Sequence, residues 1–180
     1  MTKRTLSVAV VTVAVVGAVP AVGSAVTTTT TKPRIDILGG SSFVPNRYLQ
    51  EKTRFNKDVY ALRSGATIQI RNKTPQEPHT VSVVSKSDLP KTVKGFDTCF
   101  EKGICGRLGR AHGFPEGEGP PTTPLVNSGA AGFDTKGDSI AIAPRGRGAT
   151  PSVKLSAKKG KTLYFMCIIH PWMQARISVK

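Results

Sequence analysis

The chain has few of the residues from which elaborate metal and redox sites are built. Its 180 residues include three cysteines, three histidines, three methionines and one tryptophan. It has no C-x-x-C-H motif, which excludes covalent haem attachment. No segment keeps the 3.6-residue apolar period of an amphipathic helix, so a helical fold is disfavoured. Acidic residues are also scarce, at 11 against 26 basic ones, and the net charge of +15 indicates anionic partners.

The most informative motif gathers a cysteine, a histidine and a methionine in one short turn. It runs Cys167-Ile168-Ile169-His170-Pro171-Trp172-Met173 and follows a strand-like stretch at 162–166. Two His and one Cys with a weak axial Met form the ligand set of a blue-copper site. The turn supplies three of these ligands, so a second imidazole must come from elsewhere. His79 is the candidate, because it too lies beside a strand-like stretch, at 80–84.

Other interpretations of this turn fit less well. A cysteine after an apolar strand is often only a small buried hydrophobic residue. Zinc would need more Cys or His ligands and does not use Met. The nucleophile and base of a catalytic Cys/His pair are usually distant in sequence. The donor set therefore favours copper.

These segments resemble the cupredoxins, and among them the plastocyanin and amicyanin type. The turn is similar to the family's C-x-x-H-P-x-M loop, and Pro78-His79-Thr80-Val81 is similar to its first ligand segment. Thr80 stands where the family often has Asn, so the hydrogen bond between the two ligand segments is expected to differ. The resemblance implies one type 1 copper ion, bound by His79, Cys167, His170 and Met173.

The fold that the resemblance implies agrees with the composition. The 18 glycines and 13 prolines suit short strands and long loops. Apolar and polar residues alternate at 66–70 and 176–179, as in half-buried strands. We expect an all-β, Greek-key β-sandwich or barrel with a long loop insertion between the two ligand segments.

The resemblance also implies a function, in which the chain carries single electrons by cycling copper between Cu(II) and Cu(I) and is not an enzyme. Three histidines are too few for a multicopper oxidase or a copper nitrite reductase. Two alternatives stay open: copper delivery or storage, and a role as the electron-transfer subunit of a larger redox enzyme.

The N-terminus predicts export. Lys3 and Arg4 precede an apolar run, and small residues end at Ala25, which is typical of a signal peptide at 1–25. An uncleaved anchor is the alternative, since residues 5–31 carry no charge. A Thr-rich linker at 26–34 then leads to one domain at 35–180. We expect the protein in the periplasm, in the cell envelope or outside the cell.

Residues 85–136 predict an irregular insertion that is rich in Gly, Pro and charge. Thiols pair outside the cytosol, so Cys99 and Cys105 are expected to form a disulfide. A second metal site that joins these cysteines to His112 is the alternative. Otherwise, His112 is expected to be an exposed histidine without a ligand role.

Positive charge concentrates near the C-terminus, where residues 139–180 contain eight Lys or Arg and no Asp or Glu. This pattern favours an acidic redox protein as the partner, which Lys158 and Lys159 would help to steer toward His170. The chain itself is expected to be a monomer. Trp172 is either part of the docking surface or packed over the metal site. An anionic lipid or cell-wall surface, reached through the N-terminus, and simple solubility are alternatives. No nucleic-acid-binding module is recognisable.

Overall fold

The computed structural model describes residues 32–74, 76–114, 121–144 and 149–180. The strands in this part of the chain are β1 (Arg34–Leu38), β2 (Ser41–Val44), β3 (Tyr48–Glu51), β4 (Arg54–Phe55), β5 (Val59–Leu62), β6 (Thr67–Asn72), β7 (His79–Val84), β8 (Leu125–Val126), β9 (Ser139–Ile142), β10 (Ser152–Lys154), β11 (Thr162–Met166) and β12 (Gln174–Val179). The helices are α1 (Val93–Glu101) and α2 (Ile104–His112), preceded by a 3₁₀ turn (Lys86–Asp88).

The predicted signal peptide at 1–25 and most of the linker at 26–34 lie outside the described residues. Within the described ranges, no helix has both the length and the apolar character that a membrane crossing requires.

Two sheets form the body of the fold, which confirms the expected all-β sandwich. One sheet has the strand order β10-β6-β1-β4, and the other has the order β5-β12-β11-β7-β9-β8. The β1–β6 and β5–β12 pairs are parallel, while the other pairs in these two sheets are antiparallel. A separate hairpin is formed by β2 and β3.

The core lies between the two sheets. Alternate residues of β1, β6 and β12 are buried, because successive side chains of a strand point to opposite faces. The largest fully buried side chains include Ile37, Ile68, Phe165 and Ile177, which belong to one apolar cluster.

β7 departs from this alternation, since all six of its residues are buried. Its second face is covered by the helices. A second cluster joins Val84 and Met166 of the sheet to Ile104 and Leu108 of α2. The six-stranded sheet is thus covered on both sides at β7.

The prediction of an irregular insertion at 85–136 is wrong for its first part, which forms α1 and α2. Thr92 caps α1 by accepting a hydrogen bond from Gly95 N, and Gly113 ends α2 in the left-handed conformation at φ 62°. The expected disulfide between Cys99 and Cys105 is confirmed, and it joins the two helices. A side chain at Gly103, between them, would place its Cβ 2.7 Å from the Cys99 Cα.

Candidate metal centre

The predicted ligands come from two segments that meet at one end of two interior strands of the six-stranded sheet. His79 is the first residue of β7, and Cys167 follows the last residue of β11. These strands are antiparallel neighbours, with Met166 opposite Ser82, so the start of one lies beside the end of the other. The turn to β12 is closed by hydrogen bonds from Met173 N to His170 O (2.8 Å) and from Cys167 N to Met173 O (3.0 Å).

His79, Cys167 and His170 form a compact triangle of donor atoms. The Cys167 Sγ lies 3.8 Å from the Nδ1 of His79 and 3.8 Å from the Nδ1 of His170. The two Nδ1 atoms are 3.0 Å apart. All three donors lie within 4.8 Å of one another and could hold a metal ion.

The triangle has the size that a metal ion in its centre requires. At the bond lengths of zinc, about 2.0–2.1 Å to nitrogen and about 2.3 Å to sulfur, bonds at roughly 120° separate N from S by about 3.8 Å. Both N–S separations agree with this value. The N–N separation of 3.0 Å corresponds to a narrower angle between the two imidazoles. The donor set therefore fits a mononuclear site with one thiolate and two imidazoles.

Burial sets the protonation of these side chains. It lowers the pKa of His79 to about 3, with a smaller contribution from the neighbouring His170. Burial also lowers the pKa of His170, against the opposing effect of Glu77. Both imidazoles are thus neutral and able to ligate near pH 7. Burial raises the pKa of the Cys167 thiol, so a metal ion must displace its proton.

The orientation of His79 is fixed by hydrogen bonds behind it. Its Nε2 lies 2.9 Å from the Thr74 Oγ1, and the Thr74 hydroxyl donates to the Asn72 Oδ1 at 2.6 Å. Since that hydroxyl proton is used, the Nε2–H of His79 donates to Thr74 and leaves Nδ1 bare. Partners of this kind fix the tautomer of metal-ligating histidines. Sequence reasoning missed Thr74 and Asn72, because their roles appear only once the loop is folded.

Met173 and Thr80 complete the surroundings of the triangle. Met173 is 1% exposed and belongs to the same core cluster as Cys167. Thr80 connects the two ligand segments: its Oγ1 accepts from Ile168 N at 2.9 Å, and its backbone N–H donates to the Cys167 Sγ at 3.3 Å. At the position where the family often has Asn, the hydroxyl of Thr80 thus makes the hydrogen bond between the two ligand segments.

The ligand segments thus lie at one end of a two-sheet β-sandwich and contribute two imidazoles, a thiol and a buried thioether.

Comparisons with solved structures find similar proteins at low identity. Auracyanin A, a blue copper protein from the green thermophilic photosynthetic bacterium Chloroflexus aurantiacus, is 14% identical, with a TM-score of 0.45 over 83% of this chain and 98% of that chain. Auracyanin from Roseiflexus castenholzii is 12% identical, with a TM-score of 0.44 over 84% and 98%. A copper(I) form of a variant amicyanin is 13% identical, with a TM-score of 0.40 over 83% and 82%. No protein-family model and no curated protein sequence matches the chain.

Trp172 lies at the surface beside His170. Its ring is tilted against that of His170 at 5.0 Å and stacked on Phe96 of α1 at 5.8 Å. Its Nε1–H donates to Thr53 O, yet the residue is 43% exposed. The Trp172 face, as we call it, comprises Trp172, Phe96 and four exposed basic residues close to their contacts in sequence. Lys52 and Arg54 flank Thr53, and Lys91 and Lys94 precede Phe96.

Lys158 and Lys159 do not belong to this face. They precede β11, whereas Cys167 follows it, so a strand of five residues separates them from the metal centre. At about 3.3 Å per residue this strand spans about 17 Å. The backbone around them bonds to the far end of β12, with Gly160 N donating to Val179 O. Lys158 and Lys159 therefore lie at the end of β11 opposite the turn that holds His170. Arg145 and Arg147 fall outside the described residues.

His112 was expected at the surface and is instead fully buried. Its ring nitrogens lie 2.7 Å from Thr123 O and 2.7 Å from the Ser139 Oγ. The cysteines of the alternative second metal site are joined to each other, so that alternative is wrong. The helical spacing of Ile104, Leu108 and His112 is the sequence signal that could have placed His112 on a buried face.

Proposed function

We propose that the chain is a type 1 copper protein that carries single electrons between redox partners outside the cytoplasm. The observation that carries the proposal is the buried triangle of His79, Cys167 and His170. One thiolate, two imidazoles and a weak thioether are the ligands of blue-copper electron-transfer sites. Met173 is the candidate for the thioether, because it is buried in the turn that also holds Cys167 and His170.

Bound copper would supply one-electron chemistry between Cu(II) and Cu(I). The chain's own residues hold the donors in place. Thr74 orients His79, Thr80 ties the turn to β7, and two backbone hydrogen bonds close the turn around Met173. A site with little freedom to rearrange suits electron transfer, because little reorganisation then opposes the change of oxidation state.

Electrons would enter and leave on the His170 side. The His79 side chain is fully buried, whereas that of His170 is 14% exposed and touches Trp172. The Trp172 face combines apolar rings with positive charge, which suits an acidic redox protein. We therefore propose this face as the docking surface, in place of the region around Lys158 and Lys159.

Copper loading tests the proposal. The purified domain at 35–180 with Cu(II) should turn intensely blue through thiolate-to-copper charge transfer and bleach on reduction. Any copper that Cys167→Ser binds should lack the blue colour. The double variant Cys99→Ser/Cys105→Ser is the matched control, and its copper complex should stay blue. A pale or colourless copper complex of the wild-type chain would contradict the proposal.

Export is the second part of the proposal. It is supported by the basic, apolar and small-residue order of 1–25. Expression of the full chain followed by mass measurement of the mature protein should show cleavage after Ala25. A full-length product that stays with the membrane would instead indicate the uncleaved anchor.

A further inference from the structure

Four buried polar side chains form a continuous line of hydrogen bonds from the metal centre to α2. The Thr80 Oγ1 lies 2.9 Å from the Ser82 Oγ, which lies 2.6 Å from the Ser139 Oγ. The Ser139 Oγ lies 2.7 Å from the Nε2 of His112. Each of these four residues is 0% exposed. A buried polar group costs free energy unless it is hydrogen-bonded, and here three hydroxyls and one imidazole satisfy one another. We therefore ask what this connected line does at the metal centre.

The strand geometry explains why these residues meet. Thr80 and Ser82 are two residues apart on β7, so their side chains share the face of the sheet that the helices cover. Ser139 of β9 is the direct cross-strand partner of Ser82. α2 packs over this face and brings in His112 from its last turn. The line is therefore built by the sheet and closed by the inserted helix.

The direction of every proton in this line follows from one fixed point. Thr123 O can only accept, so the Nδ1 of His112, 2.7 Å away, carries a proton. Burial lowers the pKa of His112, so its other nitrogen is bare and accepts from Ser139. A hydroxyl has one proton, and Ser139 therefore accepts from Ser82.

By the same reasoning Ser82 accepts from Thr80, and the Thr80 hydroxyl proton points along the line toward α2. The direction of this proton matters because Thr80 adjoins the proposed thiolate ligand. Its backbone N–H already donates to the Cys167 Sγ. Its hydroxyl oxygen accepts from the backbone N–H of Ile168, the residue after Cys167, so the hydroxyl lies next to the ligand turn. A second hydrogen bond to a thiolate would draw electron density from the sulfur and favour Cu(I) over Cu(II).

We propose that His112 is a positioning residue for the metal centre: by accepting the Ser139 proton, it keeps the Thr80 hydroxyl proton turned away from the Cys167 sulfur. The consequence for the reduction potential rests on the proposed function, whereas the proton order is a property of the metal-free chain. Without the acceptor on α2, the line can reverse, and Thr80 then donates to Cys167.

The metal-free protein tests the proton order directly. In ¹⁵N-labelled protein, nuclear magnetic resonance should find His112 as the pure Nδ1–H tautomer. The Thr80 hydroxyl proton should show its nuclear Overhauser contact with the Ser82 β-protons. In Ser139→Ala, which removes a single oxygen atom, that contact should move to the Cys167 β-protons. A proton on the Nε2 of His112, or a Thr80 contact that does not move, overturns the proposal.

The copper-loaded protein tests the consequence. Ser139→Ala and His112→Phe should each raise the ratio of reduced to oxidised copper about tenfold at a fixed applied potential, or about 59 mV for one electron. The charge-transfer band should shift in the same direction in both variants. His112→Gln, which retains an acceptor for Ser139, should restore the wild-type potential. Where His112→Phe fails to fold, the smaller change in Ser139→Ala still decides.

A second background separates positioning from a general structural effect. In Thr80→Val, which lacks the hydroxyl, Ser139→Ala should leave the potential unchanged. An equal shift in both backgrounds would overturn the proposal. If wild-type protein binds copper without blue colour, the proposed function fails, and the metal-free resonance experiment still decides the role of His112.

Discussion

The rate of electron transfer should depend on positive charge at the Trp172 face. Lys158 and Lys159, at the other end of β11, provide a matched control. Reversing Lys52 and Lys94 to Glu removes two positive charges from the Trp172 face and adds two negative ones. Reversing Lys158 and Lys159 to Glu changes the net charge by the same amount at the other end of β11. Only the first pair should strongly slow electron transfer to an anionic oxidant such as hexacyanoferrate(III).

The size of the effect follows from Coulomb's law. Two unit charges about 10 Å apart in water interact by roughly 0.7 RT. Two charge reversals alter four such units, or about 2.8 RT, which is about 15-fold in rate for each unit of probe charge at low salt. At physiological salt the Debye length is about 8 Å, and the effect falls to about twofold. At about 17 Å or more, screening leaves the Lys158 and Lys159 pair with about 1.2-fold.

Stopped-flow bleaching or return of the blue band measures these bimolecular rates across a salt series. The optical spectrum of each variant should match the wild type, because these lysines are not ligands. A cationic cobalt oxidant is the sign control and should react faster with the Lys52/Lys94 variant. Equal slowing by the two pairs, or rates that do not depend on salt, would refute docking at the Trp172 face by charge.

Three further predictions concern the site and its support. Met173→Leu should keep copper and the blue colour yet raise the reduction potential in voltammetry, because a weak axial ligand is lost; a loss of colour would contradict this role. Cys99→Ser with Cys105→Ser should lower the free energy of unfolding in denaturant by about 2 kcal/mol with an unchanged copper spectrum, since the bridge closes a short loop; a changed spectrum would couple the bridge to the site. The metal-free protein should lose stability as pH falls from about 6.5, because the pKa values of His79 and His170 are lowered and the unfolded state then binds more protons. Each histidine should lower the free energy of unfolding by up to about 1.4 kcal/mol per pH unit. Chemical denaturation at pH 7, 5 and 4 should show this fall, and equal stability throughout would show that the imidazoles are not buried.

The proximity of the proposed ligands could be predicted because three of them occupy one continuous turn. The residues between Cys167 and Met173 leave little freedom in where these side chains can lie. His79 is 88 residues from Cys167, but it begins a strand. The end of a strand is where it can meet a turn that leaves a neighbouring strand. The supporting residues were not predictable in this way. Thr74 and Asn72 act through loop contacts that no periodicity records.

The helices were missed for a physical reason. Each has nine residues, or two and a half turns, and α1 buries only Cys99. Glycines at 106 and 109 weaken the helical propensity of the second. Packing against the sheet and the disulfide stabilise them instead. The positions of Lys158 and Lys159 relative to His170 also needed the structure, because an extended strand of five residues lies between them and the ligand turn.

The separation of the two ligand segments has a consequence for the whole molecule. An ion bound by both His79 and Cys167 is a cross-link that closes a loop of 88 residues containing the inserted helices. Such a ligand stabilises the folded chain by mass action, by about 4 kcal/mol at a thousand times its dissociation constant. Copper supply would then regulate how long the protein survives proteolysis as well as whether it can carry an electron.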